Sequence, residues 1–157
     1  MIDRSRREFL QAGSGVGVLA LATAAGLIRP GEALAQEWNK AAFETKSVAA
    51  TLKALGGSGS TESTQIQITA PDIAENGAVV PITIESAIPK TEAIAILIEK
   101  NPSTLSADFD IPPGTDPFIT TRVKMAETSN IYAVVKAGGK YFHAAKEIKV
   151  TLGGCGG

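Results

Sequence analysis

Cysteine and histidine occur once each in 157 residues, as Cys155 and His143. A His/Cys metal cage is out of reach with that supply, and four-thiolate zinc or iron–sulfur ligation from this chain alone is excluded. An internal disulfide is excluded too, since it needs two thiols. No Cys-x-x-Cys-His stretch could attach a haem. Neither sign of charge dominates: 15 Lys and Arg stand against 16 Asp and Glu. The basic footprint of a nucleic-acid binder is therefore missing, and nucleic acid is not an expected partner. Aromatic residues make up only 5% of the chain, whereas hydrophobic residues at 44% suffice for one core. The length suits one ordinary domain. With no cofactor motif and no metal-ligand cluster, neither a cofactor nor a metal is expected.

What is present begins with an address. Paired Arg6 and Arg7 stand in a charged stretch, Asp3 to Gln11, ahead of a mild apolar run from Ala12 to Ile28. Gly13, Gly15, Gly17 and Gly26 interrupt that run, and Arg29-Pro30 closes it. Ala33-Leu34-Ala35 then puts small residues at the two positions a signal peptidase reads. Ser-Arg-Arg-x-Phe-Leu resembles a twin-arginine translocation signal, with Gln11 where Lys is usual. The glycines and the Ala-x-Ala site speak against a retained membrane anchor. Residues 1–35 are thus expected to be cleaved after Ala35, leaving a periplasmic protein. Twin-arginine export carries folded cargo. Without a cofactor motif, a partner assembled beforehand is the expected reason for that route.

Apolar residues then recur at helical spacing: Trp38, Ala42, Val48, Ala49, Leu52 and Leu55, with Thr45 the one polar interruption. This predicts one N-terminal helix within residues 36–57, stopped by Gly56-Gly57. Its apolar stripe is expected to pack on its own domain, the alternative being a partner. Gly56 to Thr61 reads as a flexible joint. Residues 58–152 alternate with period two. Ile66, Ile68 and Ala70 share a face, as do Val80, Ile82 and Ile84, then Ile94, Ile96 and Ile98. Leu105, Ala107, Phe109 and Ile111 follow, then Ile119, Val123 and Met125, with Thr120, Arg122 and Lys124 on the wet side. Residues 131–136 and 141–152 complete about seven strands, joined at the end by a Gly138-Gly139 hairpin turn. Pro81 lacks an N–H and predicts an edge strand or a bulge. The fold expected is mainly β: an immunoglobulin-like antiparallel β-sandwich with one N-terminal helix.

That domain holds no catalytic constellation. His143 alternates with Phe142 and Ala144, is expected at the solvent face, and has no identifiable group to orient it as a base. Asp108, Asp110 and Asp116 would make a weak calcium loop, but Pro112-Pro113 intervenes and the Gly-x5-Glu pattern is missing. Tyr132 and Tyr141 read as ordinary strand aromatics. The domain reads as a scaffold, not an enzyme.

Chemistry is concentrated in residues 153–157, Gly153-Gly154-Cys155-Gly156-Gly157. A structural cysteine is usually buried, and glycines offer no side chain to bury it. An unpaired thiol in an oxidising compartment is a liability unless its reactivity is used or capped. The flanking glycines make a narrow, flexible arm without side-chain recognition of its own. From Leu152 to Cys155 it reaches about 10 Å when extended. No Lys, Arg or His lies in the arm, so the thiol should keep a pKa of about 8.5 and act as a modest nucleophile. Activation is then expected from whatever enzyme receives it, and the chain is read as a carrier.

Gly-Gly-Cys-Gly-Gly after the strand Ile148-Lys149-Val150-Thr151, together with the leader, the helix and the strand-rich domain, resembles the SoxY family of sulfur carriers. The resemblance implies that Cys155 is the covalent attachment point for intermediates of thiosulfate oxidation and that the arm is mobile. It implies a complex with SoxZ and transient docking to the haem protein SoxAX, the hydrolase SoxB and a sulfur dehydrogenase. Two alternatives stand beside it. One is a di-glycine carrier in which Gly156-Gly157 would end in a thiocarboxylate. The other is a structural β-sandwich linked through an intermolecular disulfide, including a Cys155–Cys155 homodimer.

Overall fold

A computed structural model describes residues 39–152, all within one unit spanning Asn39–Gly157. Residues 1–38 and 153–157, which include Arg6, Arg7, Ala33, Ala35 and the whole glycine-cysteine arm, lie outside the described residues. Two helices and nine strands are described: α1 (Lys40–Phe43), α2 (Val48–Ala54), β1 (Thr61–Glu62), β2 (Ile66–Thr69), β3 (Ile73–Ala74), β4 (Val80–Ser86), β5 (Thr91–Ile98), β6 (Leu105–Asp110), β7 (Phe118–Val123), β8 (Ser129–Ala137) and β9 (Lys140–Val150). The protein is mainly β, an immunoglobulin-like sandwich.

The larger sheet runs β1-β9-β8-β5-β6, with β3 also on β9, and the smaller runs β2-β4-β7. Period-two alternation places Val80, Ile82 and Ile84 of the small sheet against Ile94, Ile96, Ile98, Ile131, Val135 and Ile148 of the large one, all buried in one core. The β8–β9 hairpin closes through Gly138 and Gly139, both at positive φ (56° and 71°), which a two-residue turn of this twist requires and glycine adopts without strain. The strands beyond the expected seven are β1 and β3, two residues each, laid parallel along β9. Two residues give periodicity nothing to register.

β5 carries a second layer. Ala95 and Leu97 point away from the inter-sheet core and join Ala42, Leu105 and Val134 in a separate buried cluster, with Phe43, Val48 and Leu55 packed against it. The helical segment therefore covers the outer face of the large sheet. It is two helices, where periodicity predicted one. Ser47 is extended (φ −154°, ψ 150°) and caps α2 by accepting the Ala50 N–H. Thr45 turns its hydroxyl onto the Ala42 carbonyl at 2.7 Å and the Thr51 hydroxyl at 2.6 Å. Local side-chain hydrogen bonds of this kind compete with helix continuation. The break rephases the second half, so Thr51 and Leu52 are buried while Ala49 faces out.

Three further expectations need correction. Leu105 does not share a face with Ala107 and Phe109. The register steps from Ile96↔Ala107 to Leu97↔Leu105, so Ser106 is an extra residue that turns Leu105 toward the helices. Gly56-Gly57 is not a loose joint either. Gly56 (φ 92°) donates its N–H to Lys53 and Gly57 donates to Leu52 at 2.8 Å, a complete Schellman cap. Gly57 is buried against Leu52 and Tyr141, whose hydroxyl donates to the Leu55 carbonyl. Finally, β4 is central in its sheet, yet β2 pairs with it only from Thr83 to Ser86, so Pro81 has a partner on the β7 side alone, Arg122. The missing donor falls on a locally open stretch.

Candidate functional site

β9 leads toward the glycine-cysteine segment and is held as far as Leu152, the last described residue. The large sheet holds β9 on both sides nearly to its end. Val150 N–H donates to the Thr128 hydroxyl at 2.9 Å. On the other side Lys149 N–H donates to the Asp72 carbonyl at 3.0 Å and Thr151 N–H to the Ala74 carbonyl at 3.1 Å. The Thr151 hydroxyl adds a bond to the Glu75 carbonyl at 3.0 Å. The last tie among the described residues is the Leu152 carbonyl, which accepts the buried Gly77 N–H at 2.7 Å. Gly77 in turn accepts the Met125 N–H at 2.7 Å, so one loop residue joins the end of β9 to the segment that follows β7. Leu152 is 67% exposed. The anchored base thus ends on an exposed apolar side chain, and Cys155 follows three residues later in the sequence.

The other candidates fall elsewhere. His143 is half-buried, not solvent-facing: β1 runs alongside it, Ser60 Oγ sits 2.9 Å from its Nδ1, and Tyr132 lies tilted over it at 6.1 Å. Its oriented nitrogen serves to fasten the Gly-Ser segment to β9. Asp108 and Asp110 lie on the helix-facing side of β6, opposite Ala95 and Ala93, with Lys136 and Tyr141 around a cavity of about 100 Å³. Burial raises the Asp108 carboxyl above its ordinary value, Asp110 adds to the rise, and Lys136 partly offsets it. Asp116 sits in the loop beyond β6. Among the described residues no three His, Cys, Asp or Glu side chains converge as a metal site.

The sequence set Arg122 and Lys124 on a wet face like any other and gave no sign of Gly77, a single glycine in a loop; Arg122 lies in β7 and Lys124 just past its end.

The family model described as "Sulfur oxidation protein SoxY" matches residues 52–155, a span that includes Cys155. A solved structure of the sulfur carrier protein SoxY from Chlorobium limicola f thiosulfatophilum is 43% identical, with a TM-score of 0.63 over 72% of this chain and 99% of that one. No curated protein matches the chain.

Proposed function

The chain belongs to the SoxY family, and from that footing we propose that it is a sulfur carrier that holds its substrate covalently on Cys155. The observation that carries this reading is positional. The only thiol of the sequence lies inside the family match, three residues past Leu152, the last described residue and itself hydrogen-bonded to the sandwich, with glycine on either side. Three extended residues span about 10 Å, enough for the thiol to enter an enzyme's cleft while the domain stays outside. Tethering also keeps the cargo at an effective concentration in the millimolar range once the domain has docked.

The Cys155 thiol joins the sulfane sulfur of thiosulfate, releasing one proton and two electrons, the electrons going to a haem partner of the SoxAX type. The product is a cysteine S-thiosulfonate with one negative charge. Hydrolysis by a SoxB-type enzyme adds water across the S–S bond to the terminal sulfonate. It releases sulfate and two protons and leaves a persulfide anion on Cys155. A sulfur dehydrogenase, or transfer to another acceptor, clears the persulfide. The carrier works with a SoxZ-type partner, and the pair reaches the periplasm folded through the leader at Arg6 and Arg7.

Cys155→Ser tests the assignment. The variant should keep the fold and the partner yet take up no sulfur, and intact-mass measurements on protein from thiosulfate-fed cells should show adducts on the wild type alone, removable by reductant. Loading that persists on the serine variant, or an adduct that resists reductant, refutes attachment at this sulfur.

A further inference from the structure

The seam between β6 and β7, the outer strands of the two sheets, opens into a groove of about 490 Å³. Arg122 and Lys124 line it with Asn101, Ser103, Ser106 and Thr121, and no carboxylate is among the lining residues. Both cations are exposed and neither takes part in an ion pair among the described residues. The groove is also fixed in place. Asn101 Nδ2 donates to the Lys124 carbonyl at 2.7 Å, and its Oδ1 accepts the Ala126 N–H at 2.9 Å, stapling the β5–β6 loop to the segment after β7.

A chain of hydrogen bonds links the backbone next to this groove with Leu152. Leu152 bonds to Gly77 and Gly77 to Met125, each at 2.7 Å, and Lys124 is the residue before Met125. Two such bonds and one intervening residue put the Leu152 carbonyl on the order of 9 Å from the Met125 nitrogen. An extended run from Leu152 to Cys155 covers about the same distance, and the cargo adds to it.

We propose that the groove is a parking site for the loaded segment: the sulfonate of a Cys155-bound thiosulfonate rests on Arg122 and Lys124 between encounters with enzymes. This rests on the carrier reading and adds a second binding place for its cargo. A sulfonate presents three acceptor oxygens and a permanent negative charge, which suits the forked donors of arginine and the ammonium of lysine. The unloaded thiol is neutral and has nothing to offer them.

Tetrathionate loads the thiol without any enzyme: the thiolate attacks a central sulfur, forming the thiosulfonate adduct and expelling thiosulfate. The purified full chain, wild type and Arg122→Gln/Lys124→Gln, is loaded this way, and removal of the adduct by dithiothreitol is timed. Two exposed charge contacts of ordinary strength predict removal about two- to tenfold faster in the variant at low salt, with the two proteins converging as salt rises. Amide signals of Ser106 and residues 121–124 should move on loading of the wild type. Iodoacetamide, a neutral reagent, should alkylate the unloaded thiols of both proteins at one rate. Equal or slower reduction of the variant's adduct overturns the parking site, because the cations would then only be attracting the attacking thiolate. An adduct that leaves the groove signals unmoved overturns it as well. Failure of Cys155 to take any adduct overturns the carrier reading and the parking site together.

Discussion

Deleting Gly153 and Gly154 separates the two parts that the carrier reading assigns to this end of the chain, a fixed base and a free length. Leu152, whose carbonyl is held by Gly77 at 2.7 Å, is the last described residue, and the reach that the proposed reading assigns is counted from it. In the wild type three residues carry the thiol about 10 Å outward; after the deletion one residue carries it about 3.5 Å. The thiol therefore stops about 6–7 Å short of where a cleft-bound partner expects it. A reacting atom misplaced by 1 Å already costs about a hundredfold, so turnover of the loaded carrier by its partner enzymes should fall at least a hundredfold. Loading by tetrathionate, which is small enough to come to the thiol, should be little changed. Gly153→Ala/Gly154→Ala keeps the length and should lose far less. The measurement is sulfate released per carrier with saturating partner enzyme, set beside the rate of chemical loading. Wild-type turnover by the deletion variant would show that the enzymes act at the domain surface and that reach has no part in the mechanism.

Two further outcomes concern the scaffold. Gly57→Ala places a Cβ 2.8 Å from Leu52 Cδ2 and 2.9 Å from Tyr141 Cδ2; overpacking of this kind costs about 1–3 kcal/mol, which urea unfolding will read. Gly59→Ala, where nothing lies within 4 Å, serves as the matched control, and equal midpoints would mean that α2 is not seated on Tyr141. Asp108→Asn should stabilise the protein at neutral pH. The folded carboxyl is raised above its ordinary 3.8, first by burial and then by Asp110, so the native state binds the proton more tightly than the unfolded chain. Stability from this group is full below the ordinary value and is lost as pH rises through the folded one. The gain from Asn should therefore shrink toward acid, and a gain that grows toward acid would contradict the sign.

The inter-sheet core was legible because it obeys one rule. Ile82, Ile84, Ile94, Ile96 and Ile131 alternate without interruption, and a half-buried strand needs nothing else to be read. The second cluster was harder because Ala95 and Leu97 make β5 apolar on both faces. A run such as Ala93 to Ile98 says that something covers the outer face but not what covers it. The Leu105 face was misread because a single extra residue, Ser106, inverts a period-two pattern without leaving a compositional trace. Helix continuity failed at Ser47, where capping chemistry outweighs an apolar stripe that runs on past it. At the C-terminal end, elimination singles out Cys155 as the one cysteine of the sequence, and it lies outside the described residues. The groove was not. Its cations come from β7 and the segment after it, its staple from the β5–β6 loop, and its link to the base from Gly77, and only the fold brings these together.

Cargo charge is then the variable that the proposed parking site would read. On the proposed reading, the unloaded thiol brings no sulfonate to the groove. If the proposed thiosulfonate is attached, it brings an anion that the two cations, unpaired among the described residues, can hold. On that proposal loading alone would change where the cargo rests. Hydrolysis of the cargo removes the sulfonate and with it the three oxygens that fit Arg122, so the product is held less firmly than the substrate. A parked sulfonate must also be weak enough to leave, which exposed cations guarantee and buried ones would not, because each such contact contributes no more than about 1 kcal/mol. The exposure of Arg122 and Lys124 is therefore part of the argument: a tighter, buried site would keep the cargo from the enzymes that need it.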